Sequence, residues 1–168
     1  DVNENYVTPR LTDIKDEITE IKIDTTAMIA KEDVVVMVTK DGYIKRTSFR
    51  SYTASAPDDI TMKENDYILG MYEMCTTDTI LLVTTAGNYL HIPVHMLPDL
   101  KWKDMPKHVS NIITLDAGEE IVSVIPAFDF KTNFDIVLTT ENGMIKRTKL
   151  NEFKSLRYNK PITCMKLK

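Results

Sequence analysis

Three stretches of this chain repeat one another, and that repetition restricts the architecture more than any other feature of the sequence. The segments VVVMVTKDGYIKRTSF (34–49), ILLVTTAGNYLHIPVH (80–95) and IVLTTENGMIKRTKLN (136–151) align on a glycine, which is Gly42, Gly87 or Gly143. In each, a run of β-branched and leucine residues leads to a threonine three places before that glycine: Thr39, Thr84 or Thr140. Apolar residues return two, seven and ten positions after it, as Ile44, Phe49 and Tyr52, as Tyr89, Val94 and Leu97, and as Ile145, Leu150 and Phe153. One copy reads as a β-hairpin, because a glycine there supplies the positive φ of a tight turn between two strands. Several copies read as an array whose units bury their apolar faces on one another.

A shorter motif lies between the hairpins. Ile60-Thr61-Met62 precedes KENDYILGMYE, Ile113-Thr114-Leu115 precedes AGEEIVSVIP, and Met165-Lys166-Leu167 opens what reads as another copy. These triplets are expected to be short strands. From Met62 to Leu115 is 53 residues and from Leu115 to Leu167 is 52, a period suited to propeller-like blades of four short strands. The expected class is all-β, with about three four-stranded blades in a partial array that leaves an exposed edge. Residues 1–31 read as a helical or extended connector, in which Ile21-Lys22-Ile23 is strand-like and Asp24 caps a helical turn through Ile29. Residues 32–168 form the repeat domain.

With 43% apolar and 27% charged residues over 168 positions, the chain has material for a folded core. No apolar run approaches the roughly 20 residues of a membrane helix, and the start shows no secretory signal. The reading is a cytoplasmic protein whose two cysteines, Cys75 and Cys164, are reduced thiols. The net charge of −4 speaks at first against a nucleic-acid partner. Residues 1–32 hold eight acids and four bases, however, and residues 33–168 hold 17 of each. A neutral body presents a basic rim when its acids lie on other faces.

The residues offer little for catalysis. His91 and His95 stand four apart, but Pro93 breaks any helix between them and no third ligand sits at useful spacing. The glycines at 42, 70, 87, 118 and 143 are scattered, which excludes a phosphate-binding loop. Tyr43, Tyr67, Tyr72 and Tyr89 fall in strand patterns and read as packing residues, while Asp58-Asp59 and Glu119-Glu120 fall at turns. No catalytic, metal or cofactor site is expected. The cations that stand together are Lys45 and Arg46 in the first hairpin and Lys146 and Arg147 at the matching places in the third, extended by Arg50 and Lys149. Adjacent strand residues point to opposite faces, so each pair sends one cation outward and one along the blade edge. The second hairpin has Leu90 and His91 there, and the nearby KWKDMPKH supplies Lys101, Lys103, Lys107 and His108 around Trp102. Trp102 either lies against a duplex backbone or packs into the blade. Taken alone, these residues suit better a solvated strand end whose lysines keep an edge from aggregating. Nothing resembles a recognition helix or zinc finger, so base reading is not indicated.

The hairpin DGYIKRTSF (41–49) resembles the blade motif in the C-terminal domains of the A subunits of DNA gyrase and topoisomerase IV, and the likeness covers essentially the whole chain. It is strongest at 32–52 and 87–121, where PVHMLPD and KWKD look like the topoisomerase IV type (ParC) of Gram-positive bacteria. The opening YVTPRLTDI is similar to the family's return from its coiled coil toward the C-terminal domain. Gyrase chains carry a glycine- and base-rich box after the first blade hairpin, whereas RSYTASAPDDI (50–60) has one Arg, no Gly and two Asp. That departure argues against gyrase-like wrapping. The resemblance implies a β-pinwheel, a propeller-like disc in which neighbouring blades exchange a strand and duplex DNA bends around the rim. It further implies a non-catalytic module of a type II topoisomerase, whose partners are sequence-nonspecific duplex DNA, the rest of its own A subunit, and the B subunit of the holoenzyme. On that footing Lys45, Arg46, Arg50, Lys101, Lys103, Lys107, Lys146, Arg147 and Lys149 are the expected DNA contacts. A WD-type protein-interaction propeller is the reading from another class, opposed by a single Trp and no WD dipeptide.

Overall fold

The computed structural model describes residues 28–167; the connector expected over 1–31, with its strand and helix-cap assignments, falls almost wholly outside them. Ten strands form three antiparallel sheets. The first has the order β3-β1-β2-β6, built from β1 (Asp33–Thr39), β2 (Tyr43–Ser48), β3 (Ile68–Cys75) and β6 (Lys107–His108). The second has the order β7-β4-β5-β10, built from β4 (Thr79–Thr84), β5 (Asn88–Pro93), β7 (Ile121–Ala127) and β10 (Ile162–Thr163). The third is the hairpin of β8 (Asp135–Thr139) and β9 (Ile145–Lys149), with two strands among the described residues. The expected strand exchange is present: the fourth strand of each complete sheet arrives only after the chain has built the next hairpin.

The repeated threonine and glycine have a common local role. Gly42, Gly87 and Gly143 all have positive φ, and each donates its N–H to the carbonyl of the threonine three places earlier. The Thr39 and Thr140 hydroxyls also accept from the N–H of residues 43 and 144, closing the turn. The turn glycine then receives the exchanged strand. The Gly87 carbonyl accepts the N–H groups of Cys164 and Met165 at 2.9 Å, and a Cβ at Gly87 would stand 2.2 Å from the Met165 carbonyl oxygen. The Gly42 carbonyl accepts from the Val109 N–H in the same way.

The two cores lie between sheets. Val34, Val36, Val38 and Ile44 of the first sheet meet Ile80, Leu82, Leu90 and Ile92 of the second, with Val109 and Ile113 from the crossing segment. Leu81, Val83 and Tyr89 point the other way, to Leu150, Phe153, Cys164 and Met165. Strand β4 is therefore buried on both faces, which is why it reads as an unbroken apolar run. On β8 only Ile136 and Leu138 pack inward, and Val137 and the neighbouring Ile145 remain exposed. At one edge of the sheets, β3 and β7 touch through the Tyr72 hydroxyl, which donates to the Val124 carbonyl at 3.3 Å. Strands β6 and β10 form the opposite edge.

Two expectations need correction. The triplets at 60–62, 113–115 and 165–167 are irregular, the first two leading into β3 and β7 and the third following β10. Their recurrence marks side chains such as Ile113 and Leu115 that plug the core, not ladder pairing. Tyr67 is exposed rather than packed. Both cysteines are free thiols, Cys164 buried and Cys75 half-buried.

Candidate nucleic-acid interface

The expected cations divide according to which way the strands turn them. Three residues past the turn glycine of the first two hairpins the side chain is buried. Leu90 is fully buried there, and so is Lys45, with 0% of its surface exposed. The Lys45 ammonium donates to the carbonyls of Trp102 at 2.5 Å, Asp104 at 2.9 Å and Lys101 at 3.5 Å, and lies 5.1 Å from the centre of the Trp102 ring. Burial lowers its pKa, opposed by the charge of Asp104. Lys45 therefore lacks the solvent-facing position expected of it and instead pins the 101–104 loop to β2. Lys146 repeats the device by donating to the Cys164 carbonyl at 2.6 Å, although the residue remains exposed.

Four residues past the glycine the side chain faces the opposite way. The Arg46 side chain is only 18% exposed and lies 3.7 Å from Asp99. Arg147 is open to solvent but is held by Asp135 through two of its nitrogens. Both hairpin pairs are thus largely committed to contacts within the fold, and Lys45 is closed to solvent.

Of the remaining candidates, Lys107 lies on β6, Lys149 ends β9, and Lys101 and Lys103 stand on the segment leading to β6. Arg50 is exposed on the short helix α1 (Phe49–Thr53). Of the two roles open to Trp102, the structure selects packing. Its backbone N–H donates to the Ser51 hydroxyl at 3.3 Å, its indole N–H donates to the Ala56 carbonyl, and its ring meets Tyr52 edge-on at 4.8 Å. This packing brings Lys101 and Lys103 beside α1. Lys103 is paired with Asp59 at 2.8 Å, an exposed contact that lowers the Asp59 pKa by hydrogen bonding and charge. Lys101 and Lys107 are exposed, and the His108 ring is bonded to Ser110 and the Asp41 carbonyl. In this first group Asp59 pairs with Lys103 and the Asp104 carboxylate accepts from the Lys101 N–H at 3.0 Å, while Asp58 and Asp99 lie close to these residues in the sequence.

A second group escapes the reading of the hairpin pairs. Lys149 is joined by Lys154, Arg157 and Lys160, all exposed and with no acidic partner among the described residues. Residues 146–168 hold eight bases and one acid, Glu152, whereas residues 33–145 hold nine bases and sixteen acids. The signal lies in the composition, hidden by averaging over 33–168. The segment is anchored by Phe153, edge-on to Tyr89 at 4.9 Å, and by Tyr158, stacked on His91 at 5.3 Å.

The family described as DNA gyrase C-terminal domain, beta-propeller, matches residues 33–55, 78–127 and 135–168. The chain belongs to this family. The A subunit of DNA topoisomerase 4 from Bacillus subtilis (strain 168) is 47% identical over 167 residues, 99% of this chain and 21% of that relative. The A subunit of DNA topoisomerase 4 from Staphylococcus aureus (strain MRSA252) is 43% identical over 168 residues, again 21% of its length. The chain thus spans about a fifth of the curated relatives it matches. A crystal structure of the C-terminal domain of DNA topoisomerase IV superposes with a TM-score of 0.80 at 53% identity, over 84% of this chain and 44% of that one. The E. coli ParC C-terminal domain shares the fold, with a TM-score of 0.63 at 12% identity over 81% of this chain and 52% of that one.

Within this gyrase-type propeller, the second blade departs from the first and third by placing His91 where they have arginine. His91 is 3% exposed and lies between the rings of Phe130 at 5.5 Å and Tyr158 at 5.3 Å, with neither ring nitrogen hydrogen-bonded. Burial lowers its pKa, and the charge of Lys154 acts in the same direction. A base with a depressed folded pKa binds its proton more readily when unfolded, so it costs stability as pH falls through the ordinary histidine value near 6.5. Thermal unfolding between about pH 7.5 and 5 is expected to show this loss, and His91→Phe to reduce it; equal pH slopes for the two proteins would refute the assignment. Among the described residues no group of three or more side chains is arranged to hold a metal, and no helix is long and apolar enough to cross a membrane.

Proposed function

We propose that this domain engages duplex DNA along the outer edge of its blades, without sequence preference and without itself breaking or sealing strands. In that role it guides DNA segments toward the catalytic core of a topoisomerase IV, formed by the rest of the A subunit with the B subunit, in the cytoplasm at the nucleoid. The observation that carries the reading is the excess of eight bases over one acid in residues 146–168, with Lys149, Lys154, Arg157 and Lys160 exposed there and without acidic partners among the described residues. Clustered cations bind DNA by releasing condensed counterions, which needs no base contact. The acidic segment 50–60, tied down by the Lys103–Asp59 pair, supports a bend confined to one side over gyrase-like wrapping of the whole rim.

The test is a titration of a random-sequence duplex of about 40 base pairs across roughly 25–200 mM salt. Four free cations predict a slope of log K against log salt of about −3 to −4, with affinity in the micromolar range or weaker near physiological salt. A duplex that fails to bind even at the lowest salt would overturn the reading and turn attention to a protein partner.

A further inference from the structure

The basic segment after β9 carries an apolar residue that the fold does not use. Leu156 is 85% exposed, more than any other large hydrophobic side chain among the described residues. Single exposed leucines are ordinary, but the setting of this one is specific. It stands at the tip of a short turn between two aromatic anchors, Phe153 against Tyr89 and Tyr158 against His91. The Lys154 N–H on the Asn151 carbonyl at 3.3 Å ends the helical turn Leu150–Phe153 just before it, and the Arg157 N–H on the Ser155 hydroxyl at 2.9 Å spans Leu156 itself. The tip is therefore held at both ends, and its neighbours are the exposed cations Lys154, Arg157 and Lys160.

We propose that Leu156 is a wedge that enters a base step of bound duplex DNA while Lys154 and Arg157 hold the phosphates on either side. The proposal rests on the DNA-binding reading above and adds how the domain bends its substrate. An apolar side chain inserted from the minor groove partly unstacks one step and kinks the duplex. Its burial in the stack recovers the apolar area now left in water, and flanking cations offset the repulsion of phosphates drawn together by the bend. Insertion is easiest at pyrimidine–purine steps, so a TA step is favoured over an A-tract. A loop tethered by two aromatic contacts delivers the wedge with little ordering cost, whereas a mobile one loses part of the gain to entropy.

The experiment uses the 168-residue chain and a duplex of about 40 base pairs with 2-aminopurine beside a central TA step and a fluorophore pair at its ends. The native protein is expected to raise 2-aminopurine emission and bring the ends closer. Leu156→Ala should abolish the emission rise and most of the end-to-end change and weaken binding about three- to ten-fold. Its salt slope should stay unchanged, since no cation is removed. Leu156→Phe, which keeps a large apolar group, should retain both signals. Urea unfolding curves that coincide for all three proteins establish that the fold is intact, as expected for a solvent-facing residue. Salt-dependent binding with identical emission and end-to-end signals in Leu156→Ala would overturn the wedge while leaving DNA binding in place. Leu156 would then belong to a protein contact. Absence of binding by the native chain would overturn both.

Discussion

Reversing Lys149, Lys154, Arg157 and Lys160 to glutamate is expected to abolish most DNA binding by this domain while leaving it folded. Each neutralised phosphate contributes about 0.9 to the salt slope, so losing four contacts flattens it by about 3 to 4 and lowers affinity on the order of 100-fold near 100 mM salt. The fold should survive, because these four side chains are exposed and have no acidic partner among the described residues. Surface changes of that kind usually cost within about 0.5 kcal/mol each. The informative control is reversal of Arg50, Lys101, Lys103 and Lys107. That group already has Lys103 paired to Asp59 and the Lys101 N–H bonded to the Asp104 carboxylate, so its reversal should flatten the slope by only about 1 to 2. A larger effect from the control than from the 149–160 set would move the interface to the first blade.

Lys45 is expected to behave in the opposite way, with a large effect on stability. Its ammonium satisfies three carbonyls of the 101–104 loop in a site closed to solvent. Lys45→Glu places an acid against those oxygens and should destabilise the domain by about 3–5 kcal/mol. That corresponds to a fall in Tm of roughly 10 °C or more for a domain of this size. Lys45→Met keeps the stem volume but strands the carbonyls, and about 1–3 kcal/mol is expected. Thermal and urea unfolding would check both, and a stability equal to that of the native chain in Lys45→Glu would show that the ammonium does not sit where it is placed. Charge reversal spread over the hairpin Lys-Arg pairs is consequently a poor probe of DNA binding, since it mixes unfolding with lost contacts.

The difference between Lys45 and Lys149 shows how far patterning alone carries a site assignment. Alternation along a strand correctly implies that adjacent cations face opposite ways. It does not say which face another segment will cover. That depends on the 98–104 loop returning from the second blade to lie along β2, where Pro98 and Leu100 bond to the Arg46 backbone. The apolar residues seven and ten places past each glycine are a similar case. Their separation of three residues is one helical turn, and they fall on or next to the turns Phe49–Thr53, Val94–Met96 and Leu150–Phe153. That helical spacing is legible in the sequence, where it registers only as recurrence. The basic 146–168 stretch is equally legible and is masked by summing charge over a longer window.

By itself the sequence determined the hairpins, their number and the class of the fold, because these rest on local chemistry. A glycine with positive φ, a threonine that closes the turn, and flanking β-branched runs act over a few residues and leave little choice. Tertiary structure alone decided that the first two hairpins are buried on two faces and the third on one, since Leu81 and Val137 occupy like positions but only Leu81 has a neighbour to cover it. It also decided that one lysine of a repeated pair becomes a pin for a loop. Burial and electrostatic partners are properties of what the chain brings alongside a residue from far away, and no local pattern encodes them.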